Sequence, residues 1–287
     1  MTLRLAVHLH IYYLDMWYEI KPYLKNLEGY AYDLYVTMNK QDDAIIEDIK
    51  DFNPSAKFFM VENRGYDVGP FVYFLHQINL NDYDLILKLH TKNNKNEGSV
   101  VINNKCINRK FWFLLLIESL IGSRAIFDNN IRAFEQDDKL GMIGSKYLIS
   151  SGLKNAKSVE ASVRQILERM GVPSDLPIVF VSGTMFMVRS HIMQKIKDSF
   201  NITDFEITSG KVHDETLAHV LERLFGCLTQ ALGYKIQGFD KNIRFELDGT
   251  LEYLKRFIYQ KKVTKHNCLQ IKIFRIPVYR KKMVGSI

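Results

Sequence analysis

Four short stretches of this 287-residue chain put ionisable and hydrogen-bonding side chains where a fold could use them. The first is Val61–Pro70, VENRGYDVGP, which sets Asn63, Arg64 and Asp67 around Gly65, between an apolar run and a helical one. Burying that many polar groups is costly unless something pairs with them. Two readings satisfy them: a glycine turn closed by an Arg64–Asp67 ion pair, or a nucleotide or sugar pocket. The dinucleotide fingerprint G-x-G-x-x-G occurs nowhere in the chain, which excludes a pocket of that kind.

The second stretch is Tyr83–Asn94, YDLILKLHTKNN, an apolar run that feeds straight into His90, Thr91 and Lys92. A diphosphate at such a strand end is ordinarily neutralised by a divalent metal held on two acids. No acid stands here. Lys92, with Lys88 or His90, would supply the positive charge itself; otherwise Lys92 is a solvated loop lysine. The third stretch is Ile178–Arg189, IVFVSGTMFMVR, where Ser182, Gly183 and Thr184 interrupt a β run. A glycine inside a strand marks a bulge or the close approach of a ligand. Ser182 is not set in G-x-S-x-G, so a hydrolase elbow finds no support. The fourth is Lys211–Glu215, KVHDE, at the head of an amphipathic stretch. There Asp214 or Glu215 could take the proton of an attacking hydroxyl, or Asp214 could simply cap the helix. His8 and His10 alternate on one face of the first apolar run, a placement that serves either a core or a site.

These residues need a frame, and the hydrophobic pattern supplies one. Apolar runs of strand length alternate with stretches of helical period, the pattern of an α/β layer fold with a largely parallel sheet. Strands are expected near Leu5–His10, Asp33–Thr37, Lys57–Val61, Leu85–Leu89, Gly141–Ile143 and Val179–Val188. Helices are expected near Met16–Asn26, Asp42–Asp51, Val68–Gln77, Ser123–Gln136 and Val159–Met170. In open sheets of this type ligands sit beyond the carboxyl ends of the strands. Residues 93–108, rich in Asn and Lys and without a period, read as a long loop. From His213 to Leu232, Leu217, Leu221, Leu224 and Leu228 share one face of a helix that Gly233 ends.

Composition narrows the class. With 47% hydrophobic residues the chain is neither disordered nor collagenous. Cys106, Cys227 and Cys268 form no C-x-x-C pair, which argues against a disulfide framework or a zinc site and for a reducing compartment. The longest apolar run, Phe111–Leu116, falls far short of the ~20 residues of a spanning helix. The N-terminal apolar stretch is interrupted by His8, His10 and Asp15, so it reads as a first strand and not as a signal peptide. The net charge of +7 is unevenly placed. Tyr253–Ile287 holds ten Lys/Arg and no acid, leaving Met1–Glu252 with 29 bases against 32 acids, a net of −3. A nucleic-acid groove would need a basic body, so nucleic acid is not expected as a partner. The tail interleaves its cations with Leu254, Phe257, Ile258, Ile271, Ile273, Phe274, Ile276 and Val278, which suits an anionic membrane surface.

Taken in order, AVHLHIYYLDMWYEI (6–20), YDLYVT (32–37), ENRGYDVGPF (62–71), YDLILKLHTK (83–92), LGMIG (140–144), VSGTMFMVR (181–189) and HDETLAHVLERLFG (213–226) resemble the rhamnan synthesis F family. These are glycosyltransferase-like proteins of bacterial cell-surface polysaccharide assembly. The resemblance covers roughly residues 3–240, and the ordered set is specific where any one motif is weak. It implies a single glycosyltransferase A-type, Rossmann-like domain over 1–245 and a basic amphipathic extension over 246–287. It also implies transfer of a sugar, rhamnose favoured, from a nucleotide-sugar donor to a glycan or lipid-linked glycan acceptor. By that analogy His10, Asn63, Arg64, Gly65 and Asp67 lie beside the donor, and His90, Thr91 and Lys92 replace the Asp-x-Asp metal motif. Ser182, Gly183, Thr184 and His213 would line the acceptor side, with Asp214 or Glu215 as the base of an inverting reaction. The missing acids put Mg²⁺ or Mn²⁺ out of favour, and no metal ligand is assigned. The expected location is cytoplasmic, peripheral on the inner face of the inner membrane. The rival reading is a non-catalytic glycan-binding or assembly subunit.

Overall fold

The computed structural model of the protein describes residues 3–92, 99–102, 105–151, 157–208, 216–239, 241, 258–263, 268–274 and 276–282. The chain runs β1 (Leu5–Ile11), α1 (Trp17–Leu24), β2 (Tyr32–Met38), α2 (Asp43–Phe52), β3 (Lys57–Met60), α3 (Val68–Gln77) and β4 (Leu85–His90). A hairpin, β5 (Ser99–Ile102) and β6 (Lys105–Asn108), precedes α4 (Arg109–Ile121), α5 (Arg124–Gln136), β7 (Leu140–Ile143), β8 (Ile149–Ser151) and α6 (Lys157–Arg169). Then follow β9 (Val179–Val181), β10 (Phe186–Arg189), α7 (Gln194–Ser199), α8 (Leu217–Ala231) and β11 (Lys235–Gln237). Strands β12 (Tyr259–Val263), β13 (Cys268–Ile273) and β14 (Ile276–Lys282) close the chain.

The main sheet has seven strands in the order β11-β7-β10-β4-β1-β2-β3. All neighbours are parallel except β10, which runs antiparallel to both β4 and β7. All seven residues of β1 are buried, as a central strand covered on both faces requires. Phe71, Phe74 and Val72 of α3 and Leu221, Leu224 and Phe225 of α8 join Tyr35, Ile86 and Phe186 of the sheet in one apolar cluster. Each such side chain contributes about 1.5–3 kcal/mol when fully buried. Caps set the helix starts where the sequence offers them: Asp42 accepts from the Ile45 N–H, and Ser123 from the Ile126 N–H.

Two expectations are corrected. The run Val179–Val188 is two strands, not one. Gly183 (φ 91°) and Thr184 (φ 54°) take left-handed backbone that no strand continues through, so β9 pairs with β8 while β10 enters the main sheet. The stretch read as a loop at 93–108 contains the β5–β6 hairpin, with 93–98 and 103–104 outside the described residues.

The chain divides into two compact units, residues 1–96 with 109–240, and residues 97–108 with 241–287. The first carries the seven-stranded sheet. The second carries the β5–β6 hairpin and an antiparallel sheet of order β12-β13-β14.

Candidate functional site

Alternation along a strand puts His8 and His10 of β1 on the same face as Lys88 and His90 of β4, and the register sets His8 beside Lys88 and His10 beside His90. Helix α3 covers this face: His8 stacks on Phe74 at 4.7 Å, and the Lys88 Nζ lies 5.4 Å from the centre of the Phe71 ring. Thr37 of β2 joins the two histidines, its Oγ1 2.9 Å from His8 Nε2 and 3.0 Å from His10 Nδ1. Burial pushes His10 down to about 3 and His90 down to about 4, so both imidazoles are neutral near pH 7.

Lys88 is fully buried and is held as half of an ion pair, its Nζ 2.5 Å from Asp67 Oδ2. Asp67 sits at the head of α3, and it also accepts from the Thr184 hydroxyl. Burial opposes ionisation of this carboxyl, but the Lys88 charge and the hydrogen bonds from Lys88 and Thr184 hold it well below the usual carboxylate range. The same groups grip the 183–184 turn. Lys88 donates to the Thr184 carbonyl at 2.9 Å and His90 Nε2–H to the Gly183 carbonyl at 2.9 Å, while Glu222 Oε1 accepts the Gly183 N–H at 2.7 Å. Three elements, α3, β4 and α8, thus fix a turn whose threonine holds a strained φ, a combination that clusters at functional sites.

The turn forms one wall of a cavity of about 220 Å³ beyond the carboxyl end of β4. Asp67 and Thr184 lie on one side, Lys92 and Trp112 on another, and His219 and Glu222 of α8 complete it. The Lys92 Nζ stands 3.8 Å from the centre of the Trp112 ring, a cation–π contact. Among the described residues Lys92 makes no ion pair, and the Trp112 Nε1–H is buried without an acceptor. Among the described residues the two carboxylates of the cavity are both paired: Asp67 through Oδ2 with Lys88 and Thr184, and Glu222 with the Gly183 N–H and, at 2.6 Å, with Arg223. Among the same residues Lys92 is the cation of the cavity without an ion pair.

Of the residues nominated from sequence, Asp67, Lys92, Gly183 and Thr184 line the cavity, while His10 and His90 lie buried beside Asp67. Thr91 fastens the chain after β1, its Oγ1 accepting from the Tyr12 and Tyr13 N–H groups. Asn63, Arg64 and Gly65 face the 205–208 segment instead. Arg64 pairs with Glu62 at 2.5 Å and donates to the Phe205 carbonyl, and Asn63 donates to the Thr208 carbonyl. The proposed Arg64–Asp67 pair is therefore replaced by Arg64–Glu62 and Lys88–Asp67. Gly65 is demanded by packing, since a Cβ there would stand 2.4 Å from Phe205. Ser182 bonds Ser150 at 2.7 Å. His213, Asp214 and Glu215 lie outside the described residues. Sequence reasoning missed Trp112, His219 and Glu222. The last two are spaced i, i+3 on α8, a polar pair inside an apolar helix that pointed inward.

Solved structures are similar at low identity. S. aureus TarS, residues 1–349, matches at 8% identity and TM-score 0.43 over 83% of this chain and 59% of that one. Glucosyl-3-phosphoglycerate synthase from Mycobacterium tuberculosis, in complex with Mn²⁺, UDP and glucosyl-3-phosphoglycerate, matches at 10% and 0.35 over 97% and 90%. In sequence, the uncharacterized protein WxcX of two Xanthomonas campestris pv. campestris strains is 25% identical over 188 residues. That match takes in 63% of this chain and 25% of WxcX, so the chain spans about a quarter of those curated relatives. The model of rhamnan synthesis protein F matches residues 1–234, a span that contains the cavity and every group that braces it. On that match, the chain belongs to the rhamnan synthesis protein F family.

Proposed function

We propose that the chain is a glycosyltransferase of bacterial surface-polysaccharide synthesis, moving a sugar, rhamnose favoured, from a nucleotide-sugar donor to a hydroxyl of a growing glycan. Family membership supports the class, and one observation carries the site: a cavity whose carboxylates are both internally paired, and whose Lys92 ammonium is not. Burial lowers the Lys92 pKa, and among the described residues no carboxylate forms an ion pair with this amine, so an anion entering the cavity supplies the partner that favours its charged form. Direct displacement with inversion fits this arrangement. The acceptor oxygen attacks the anomeric carbon, the diphosphate leaves with its electron pair, and Lys92 offsets the charge that builds there. Arg64, tied to Glu62 and Phe205, does not share that task. The attacking hydroxyl also needs a proton acceptor; Asp214 and Glu215, which the sequence nominates, lie outside the described residues.

A resident Mg²⁺ or Mn²⁺ would need oxygen ligands free to coordinate it. Among the described residues Asp67 and Glu222 are already bonded, so these two do not offer a metal free oxygen ligands of that kind. The reading predicts release of a nucleoside diphosphate from a UDP-, dTDP- or GDP-sugar, with the rate unchanged in EDTA. Sugar binding without any release would favour the glycan-binding subunit instead, and full loss of rate in chelator would overturn the metal-free site. The basic C-terminal strands extend the reading to a place, the anionic cytoplasmic leaflet of the inner membrane, where a lipid-linked acceptor would lie. Among the described residues no helix is long and apolar enough to cross a membrane.

A further inference from the structure

We infer that His219 is the base that takes the proton of the acceptor hydroxyl, an assignment that rests on the sugar-transfer reading and is drawn from the described residues, outside which Asp214 and Glu215 lie. A base must present a lone pair to the cavity within reach of the attacking oxygen. The two described carboxylates there are poor bases. Asp67 Oδ2 accepts from Lys88 and Thr184, an ion pair and hydrogen bonds that hold this carboxyl well below the usual range and so weaken it as a base, and Glu222 spends one oxygen on the Gly183 N–H and the other on Arg223. Removing either from these partners would release the 183–184 turn that forms the wall.

His219 is differently placed. Its ring lines the cavity, one turn before Glu222 on the same helix, with the Tyr66 ring 5.7 Å away. Its Nδ1 lies 2.8 Å from Thr216 Oγ1. With Nδ1–H donating to that hydroxyl, the lone pair stands on Nε2, which makes no hydrogen bond among the described residues. A base whose far nitrogen is fixed by a third group is the arrangement that orients an imidazole for proton abstraction. Thr216 is the residue before α8, and its hydroxyl bonds no backbone N–H of the first turn, so its side chain serves His219 rather than the helix end. The step balances: the acceptor oxygen bonds to the anomeric carbon, the carbon–diphosphate bond breaks with its pair leaving beside Lys92, and the hydroxyl proton passes to Nε2. The acceptor is thereby a neutral sugar hydroxyl, which needs a base. A phosphate or carboxylate acceptor would not.

The test measures nucleoside diphosphate release from UDP-, dTDP- and GDP-sugars with octyl rhamnoside as acceptor. His219→Gln should lower kcat about 10²–10⁴-fold while leaving the donor KM close to that of the parent, a larger loss than Asp214→Asn or Glu215→Gln produces. His219→Ala should regain activity with added imidazole, a recovery that a merely structural histidine would not show. Thr216→Val, which removes the orienting hydroxyl, should lower kcat by a smaller factor. The assignment is overturned if His219→Gln runs near the parent rate, if imidazole restores nothing, or if Asp214→Asn or Glu215→Gln alone abolishes transfer. A parent protein that releases nucleotide from no donor would defeat the transfer reading itself, and the base assignment with it.

Discussion

Two lysines four residues apart on one motif do different work, and burial is what separates them. Lys88 is fully enclosed with Asp67, while Lys92 reaches the cavity over Trp112. Removing one partner of a buried ion pair strands the other charge, so Lys88→Met should cost about 3–5 kcal/mol of stability. Lys92→Met forfeits a cation–π contact of about 0.5–2 kcal/mol and should act mainly on donor affinity and rate. Urea unfolding of both variants beside donor kinetics separates the two roles, and equal stability losses would sink the distinction. The sequence displayed both lysines as candidate charge donors at a strand end. It could not show that Asp67, 21 positions earlier, folds down onto Lys88, because that pairing depends on how α3 crosses the sheet. The positive φ of Tyr66 and Thr184 was equally hidden, since neither residue type announces left-handed backbone.

Elements with a clear period were legible, and those set by a partner were not. Val68–Gln77 and the leucine face of α8 follow from the local sequence, because their apolar residues recur at helical spacing and are buried in the structure. The division of Val179–Val188 between two sheets follows instead from the grip of Glu222, His90 and Lys88 on the 183–184 turn. Long-range bonds of that kind leave no local pattern. The packing of α8 on β9 makes the same point through Gly226, where a Cβ would stand 2.2 Å from the Val179 carbonyl oxygen and 2.6 Å from the Phe180 Cα. Backbone cannot yield as a flexible side chain would. Gly226→Ala should therefore push α8 outward at a cost of about 1–3 kcal/mol, although alanine is the better helix former by about 1 kcal/mol. Because His219 and Glu222 ride on α8, the same variant should lower kcat. Thermal unfolding and the transfer rate are read together, and a stabilised, fully active Gly226→Ala would show that α8 and β9 are not in rigid contact.

At the scale of the whole chain the net charge of +7 belongs to Tyr253–Ile287, since the 252 residues before it sum to −3. The sequence revealed that asymmetry but not the antiparallel pairing of β12, β13 and β14 within it. Around the β13–β14 connection Ile273, Phe274 and Ile276 are exposed, the last by 64%. An exposed apolar connection on a strongly basic strand set is a combination for which an anionic bilayer offers both a charged surface and an apolar interior. Each cation near such a surface contributes ~1 kcal/mol, so the full-length triple variant Arg280→Gln/Lys281→Gln/Lys282→Gln should weaken binding to phosphatidylglycerol-rich vesicles by roughly 3 kcal/mol, about 150-fold. Binding of the parent should fall as salt rises, and phosphatidylcholine vesicles should bind it weakly. Phe274→Ser/Ile276→Ser should lose affinity without altering the salt dependence, because it removes apolar area and leaves every charge in place. Vesicle sedimentation reads all of these on one scale. Equal binding to both lipids, or tight capture of RNA by the parent with none by vesicles, would assign the basic strands to another partner and leave the cavity's chemistry untouched.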